Sequence, residues 1–188
     1  MKLYIVRHGE SVNNVSGLWT GWMDTPLTEK GTQDALRARP YLTGISFDKV
    51  YSSDLQRAYH TGLLALPGCE PEKLPILREI DVGSLAGTPL FSNASQQTAY
   101  DRYLGYEEFG GESYKTFSDR TLQFLSMLEQ LDVQTVVAFS HGGYLQMLLN
   151  NICGQTISRK AIQCKNCAIA VFEYSKNQWS LHSWINTQ

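Results

Sequence analysis

Two histidines in this sequence each follow an apolar, β-branched run and precede a glycine: Leu3-Tyr4-Ile5-Val6-Arg7-His8-Gly9 and Val136-Val137-Ala138-Phe139-Ser140-His141-Gly142. An imidazole is largely unprotonated near neutral pH and is then a competent nucleophile. Arg7 sets beside His8 a planar fork of donors that matches phosphate oxygens. Gly9 lets the backbone come close, so that amide groups can point at an anion. An isolated Arg-His pair could do no more than finish a strand, but this pair is not isolated. Ser52-Ser53-Asp54-Leu55-Gln56-Arg57 brings a second arginine one turn into a helix, and Leu77-Arg78-Glu79 adds a carboxyl group past another strand. Two histidines, two arginines and one glutamate form a coherent set for phosphoryl transfer. One imidazole attacks phosphorus, the other cations neutralise the equatorial oxygens, and the carboxyl group handles the proton of the leaving group. The side chains already supply the positive charge, and no carboxylate cluster is present to hold a cation. Neither a metal nor another cofactor is expected.

Such a set works only if the elements carrying it converge. Lys2 to Val6 reads as a first strand, Phe47 to Tyr51 as a second, Lys73 to Leu77 as a short third, and Thr135 to Phe139 as the clearest buried one. A polar loop spans 11–26. Thr28 is a helix N-cap candidate for a stretch running towards Tyr41, and Asp54 to Leu66 reads as the next helix, stopped by Pro67-Gly68. Apolar residues at 117, 121, 122, 124, 125, 128 and 131 repeat with helical spacing, and a further helix follows His141 through Ile152. Ala168 to Tyr174 and Trp179 to Trp184 read as a closing hairpin. Strands alternating with helices predict a three-layer α/β/α sandwich with a largely parallel sheet. Sites in such sheets gather beyond the carboxyl ends of the strands, where His8 and His141 both fall. If both touch one phosphate, their ring nitrogens should lie roughly 5–7 Å apart. The polar and aromatic stretch at about 88–111 is expected to be a small inserted cap.

The order and content of these segments resemble a known family. Arg7-His8-Gly9-Glu10-Ser11, Pro26-Leu-Thr-Glu-Lys-Gly31, Ser52 to Thr61, Leu77-Arg-Glu-Ile-Asp-Val-Gly83, Gly111-Glu112-Ser113 and Ser140-His141-Gly142-Gly143 match six motifs of the histidine phosphatase superfamily, in its phosphoglycerate-mutase-like branch. The resemblance implies that His8 is a phosphohistidine nucleophile, that Arg7, Arg57 and His141 clamp the phosphate, and that Glu79 is proton donor and then acceptor. It places Asn14, Ser11 and Gly142 against the substrate. It departs from the pattern at Gly83-Ser-Leu-Ala-Gly87, where an acidic residue is missing, and at Gln146, where many members have Arg. Both departures bear on the leaving group rather than on the phosphoryl site.

The subgroup pattern most resembles phosphatases of the α-ribazole and broad-specificity types, through Gly17-Leu-Trp-Thr-Gly21 and Arg57-Ala-Tyr-His-Thr61. The implied activity is that of a metal-independent phosphoric monoester hydrolase acting on a small phosphorylated metabolite. The first alternative is a phosphoglycerate mutase, which Thr20-Gly21-Trp22 resembles. Ile80-Asp81-Val82 stands where mutases carry Arg-His-Tyr, however, and the long basic insertion of mutases is absent. The second alternative is a protein that binds a phosphorylated ligand without turnover. Loss of the nucleophile or the acid would signal that, and both are present.

Bulk properties narrow the remaining choices. The 188 residues are 43% hydrophobic and 18% charged, which suits one domain over 1–188. A net charge of -2 leaves no excess of cations for a nucleic-acid or membrane surface. No run reaches the ~18 apolar residues of a membrane span, and Arg7 cuts the first apolar run too early for a secretory leader, so a cytoplasmic location is expected. The partner expected is a small phosphate ester, and the chain should be a monomer or homodimer. Cys69, Cys153, Cys164 and Cys167 are too few for a disulfide framework. Cys164-Lys-Asn-Cys167 has CxxC spacing with no second pair and reads as ordinary thiols beside a strand. Cys153 reads as a thiol at or near the core.

Overall fold

A computed structural model of the chain describes residues 1–90, 105–154, 157 and 161–187. Its centre is a six-stranded sheet built from β1 (Lys2–Arg7), β2 (Lys49–Ser52), β3 (Glu72–Lys73), β4 (Thr135–Ser140), β5 (Ile169–Ser175) and β6 (Gln178–Ile185), in the order β3-β2-β4-β1-β5-β6. The first four of these run parallel to one another, and β5 and β6 join the edge of β1 antiparallel. The described α-helices are α1 (Val12–Val15), α2 (Glu29–Leu42), α3 (Gln56–Ala65), α4 (Tyr114–Glu129) and α5 (Gly142–Cys153), and short 3-10 turns lie between them.

The period of two along each strand builds the layers. Leu3 and Ile5 of β1, Val136 and Ala138 of β4, and Ala170 and Phe172 of β5 enter one core with Phe124 and Leu128 of α4 and Tyr144, Leu145 and Leu148 of α5. The intervening Val6, Val137, Phe139, Ile169 and Val171 point the other way, into a second core with Leu42 of α2 and Ala65 of α3. Strands apolar on both faces can be stable only with helices on both faces. This is the expected three-layer α/β/α sandwich, and its closing hairpin is also present. Lys176 and Asn177, at φ of 51° and 59°, turn the chain from β5 to β6 in two residues, as a right-twisted hairpin requires.

Three local expectations change. The polar loop 11–26 contains the single helical turn α1, because the Asn14 carboxamide accepts from the Ser11 backbone N–H at 3.1 Å and closes it. The third strand is only two residues long: Pro75, which has no N–H to give a ladder, starts a 3-10 turn over Pro75–Leu77. Cys153 is exposed at the end of α5 rather than near the core. Thr28 caps α2 as expected, its Oγ1 accepting from Gly31 N at 3.0 Å. Of the expected cap at 88–111, residues 91–104 lie outside the described residues. The flanking Leu90 is tied by its N–H to Gly17 O at 2.7 Å, and Tyr106 packs edge-on against Trp19 with ring centroids 5.6 Å apart.

Candidate active site

Register brings the two histidines together. β1 and β4 are parallel neighbours with Arg7 opposite Ser140, so the next residue of each strand leaves the sheet at the same edge. His8 N donates to Ser140 O at 2.9 Å. The imidazoles then meet edge to face, with ring centroids 5.2 Å apart. His8 Nδ1 bonds Gly9 O at 2.6 Å. Because a carbonyl only accepts, Nδ1 holds the proton and Nε2 carries the lone pair. Gly9 permits this turn, since a Cβ there would stand 2.3 Å from Gly31 O. Its N–H is held by Thr61 Oγ1 at 3.0 Å, and Thr61 in turn donates to Arg57 O at 2.7 Å.

Arg57 sits in the first turn of α3 and is only 1% exposed. Two of its nitrogens donate to Met23 O at 2.9 Å and Gly21 O at 2.8 Å. Burial lowers its pKa to about 10, against the opposing pull of Glu79 and Asp24, so it stays charged at neutral pH. Arg7 anchors one nitrogen on Cys164 O. The Nε atoms of both arginines and both ring nitrogens of His141 are buried without a partner among the described residues. Unpaired buried donors are costly, and a concentration of them in one place is what an anion would satisfy.

Glu79 arrives after the Pro75–Leu77 turn. Its Oε2 accepts from Gly143 N at 2.9 Å and its Oε1 from Ile80 N at 3.0 Å. A Cβ at Gly143 would lie 2.2 Å from Glu79 Oε1, so a side chain there would displace the carboxylate from this contact. Two ion pairs that sequence reasoning did not single out hold the loop. Arg78 forks onto Asp54, at 2.8 and 2.5 Å, which ties Glu79 to the start of α3. Arg120 of α4 grips the Glu112 carboxylate at 2.9 and 2.8 Å while donating to Ile76 O, Arg78 O and Glu79 O at 2.8, 2.7 and 3.0 Å. Glu112 belongs to the Gly-Glu-Ser segment already noted, but Arg120 lies in a helix legible only as a packing stripe. Trp22 Nε1 adds a bond to Glu79 O at 2.7 Å.

Arg7, His8, Asn14, Arg57, Glu79 and Gly142 line one cavity of about 430 Å³. His141 is fully buried and is not among the residues lining it, packing edge to face against the His8 ring instead. Ser11 is not in the wall either. The turn into α1 directs it inward, where it is fully buried, and its neighbour in the helix, Asn14, takes the place at the cavity. Asn14 Oδ1 is occupied by Ser11 N and by Asn166 Nδ2 at 3.4 Å, which leaves its own amide hydrogens for a ligand. Cys164 and Lys165 also line the cavity, whereas Cys167 is buried with its thiol pKa raised to about 12 by burial. Among the described residues, no three of His, Cys, Asp and Glu are grouped so as to hold a metal ion.

Burial, with Arg57 next, holds both imidazole pKa values well below the ordinary 6.5. The rings stay neutral in the folded protein, whereas in the unfolded chain they take up protons as pH falls through 6.5. Stability contributed by their burial is therefore fully present above that value and lost below it. The melting temperature should fall between about pH 7.5 and pH 5.5, and fall less in a His141→Asn variant. An equal fall in both proteins would place the acid sensitivity elsewhere.

The sequence profile of the histidine phosphatase superfamily (branch 1) matches residues 3–187. With the sandwich and the paired histidines, this identifies the class: the chain belongs to the histidine phosphatase superfamily. A Salmonella choleraesuis relative named "Probable phosphoglycerate mutase GpmB" is 31% identical over 98% of this chain and 90% of its own. An Escherichia coli K-12 protein with the provisional name alpha-ribazole-5'-P phosphatase superposes with a TM-score of 0.85 at 26% identity, covering 100% of this chain and 97% of its own. The phosphoserine phosphatase of Entamoeba histolytica, solved with 3-phosphoglyceric acid, gives a TM-score of 0.83 at 26% identity over 100% and 98% of the two chains. No helix among the described residues is long and apolar enough to cross a membrane.

Proposed function

We propose that the chain, acting as one domain, hydrolyses a small phosphate monoester through a phosphohistidine on His8. The observation that carries this reading is the convergence of His8, Arg7, Arg57 and Glu79 on one cavity, with the His8 lone pair free at Nε2. In the first step Nε2 attacks phosphorus, the bond from phosphorus to the ester oxygen breaks, and protonated Glu79 gives its proton to the departing alkoxide. In the second, the Glu79 carboxylate takes a proton from water, the hydroxide oxygen bonds to phosphorus, and His8 leaves with its electron pair restored. Arg7 and Arg57 offset the charge on the phosphoryl oxygens, Asn14 and Gly142 contact them, and His141 supports the His8 ring against which it packs. No step in this scheme requires a metal ion.

Relatives carry both mutase and phosphatase names, so the choice rests on the cavity. A mutase must retain a second anionic group against loss to water. Beyond the phosphoryl end, the described wall is formed largely by Leu18, Trp19, Val82, Leu90, Tyr106 and Ile162, with Lys165 as its one described cation apart from the two arginines. That lining favours release of the alcohol over retention of a bisphosphate. The test is a set of phosphomonoesters assayed for inorganic phosphate with EDTA present, beside a mutase assay on 3-phosphoglycerate primed with 2,3-bisphosphoglycerate. Phosphate release is expected without isomerisation; the reverse result, or activity that needs an added divalent ion, would overturn the proposal.

Arg57→Lys is expected to cut turnover about 10-fold or more, although the charge is kept. A lysine cannot hold Met23 O and Gly21 O while also presenting Nε. Turnover within about twofold of the parent would show that a point charge suffices.

A further inference from the structure

Gln146 lies on α5 one turn beyond Gly142 and Gly143, so it shares their face and lines the same cavity. It is 5% exposed. Its Nε2 donates twice, to Asn150 Oδ1 at 3.1 Å and to Ile157 O at 2.9 Å. Its Oε1 is buried with no partner among the described residues. The orientation of the amide is fixed by its neighbours. Asn150 Oδ1 also accepts from Ile157 N at 2.9 Å, and Asn150 Nδ2 reaches Tyr114 OH at 3.2 Å. Flipping Gln146 would bring its oxygen against two acceptors, so Oε1, an acceptor, is the polar atom this side chain has left to pair.

We infer that Gln146 Oε1 selects the leaving group, and that the substrates are monophosphates of uncharged, flat or ring-bearing alcohols carrying an O–H or N–H donor. The inference rests on the hydrolase reading above. The phosphoryl end is cationic and the described remainder of the wall is largely apolar, Lys165 being its one further cation, with Trp19 and Tyr106 packed edge to face. A flat group fits such a wall, and the only chemistry that Gln146 asks of it is a donor. A carboxylate or second phosphate brings acceptors to an acceptor and is disfavoured there. A leaving group with neither charge nor donor enters the site but leaves Oε1 unpaired, which a buried amide oxygen tolerates poorly.

The probes are 2-phenylethyl phosphate, its 2-, 3- and 4-hydroxy isomers on the ring, and the corresponding carboxy isomers, compared by kcat/KM. The ester bond is the same throughout, so differences report on recognition of the leaving group. At least one hydroxy isomer should exceed the unsubstituted ester by about 10-fold or more, and every carboxy isomer should fall below it. In Gln146→Met, which keeps length and volume, the hydroxy-to-unsubstituted ratio should collapse towards one, with folding checked by thermal melting. Hydrolysis without a hydroxyl advantage in the parent protein would overturn the selection by Gln146, as would a carboxy isomer that matches the hydroxy ones. A ratio that survives in Gln146→Met would do the same. Failure of the parent to release phosphate from any of these esters, or from 4-nitrophenyl phosphate, would instead overturn the hydrolase reading itself.

Discussion

His8→Ala should lower turnover of any phosphomonoester by a factor on the order of 10⁴–10⁶, the scale seen when a covalent nucleophile is removed. The size follows from what alanine leaves behind. Arg7 and Arg57 still bind phosphate, and Glu79 still lines the cavity, but no group then stands behind phosphorus. Water would have to attack a phosphoryl group whose oxygens carry negative charge, from a position that no side chain fixes. The parent protein, quenched in alkali during turnover of a labelled ester, should carry label on His8, because phosphohistidine survives base and is lost in acid. Absence of that label, together with a loss of only a few fold in His8→Ala, would mean that water attacks directly and that His8 merely binds. Alanine is tolerable sterically, since the ring packs against His141 and the cavity rather than within either core.

Glu79→Gln should separate proton transfer from phosphate binding. The amide keeps the shape of the carboxyl group and still accepts from one of the two backbone N–H groups that Glu79 holds, and Arg120 and Arg78 keep the loop in place. An alkyl phosphate needs a proton on its leaving oxygen, and its first step should slow by about 10²–10⁴-fold. A 4-nitrophenyl ester departs without help, so its first turnover should be affected far less. The second step is common to both and needs a base to activate water. With the aryl ester, phosphohistidine should therefore accumulate as a burst of about one equivalent, followed by slow turnover. Rapid-quench measurements on the two esters decide the matter. Equal losses and no burst would move the proton transfer to another carboxylate, with Asp81, whose Oδ1 accepts from Gly83 N at 2.9 Å, the nearest candidate in the sequence.

The layers of the fold were legible because each rests on local chemistry. The unbroken apolar runs 136–139 and 169–172 put apolar side chains on both faces of the sheet and can be buried only between two layers of helices, and Thr28 or Lys176-Asn177 specify a cap and a turn within a few residues. Expectations failed where a neighbour decided. Pro75 shortened the third strand, Asn14 converted a loop into a helical turn, and Cys153 proved to be outside the core because α5 ends at the surface.

The candidate site divides in the same way. Residue type and order alone selected His8, Arg7, Arg57, Glu79 and His141, since few combinations of side chains suit phosphoryl transfer and these stand at strand ends. Only the tertiary structure decided that His141 packs against His8 rather than lining the cavity, that Ser11 turns inward, and that Arg120 and Glu112 support Glu79 from another helix. It alone showed that Gln146 holds its amide hydrogens on Asn150 and Ile157 and leaves its oxygen to pair. Sequence records which groups are available, but direction depends on contacts between residues far apart in the chain. The Gln146 amide is oriented by Asn150, Ile157 and, through Asn150, Tyr114, and no local pattern in the chain encodes that arrangement.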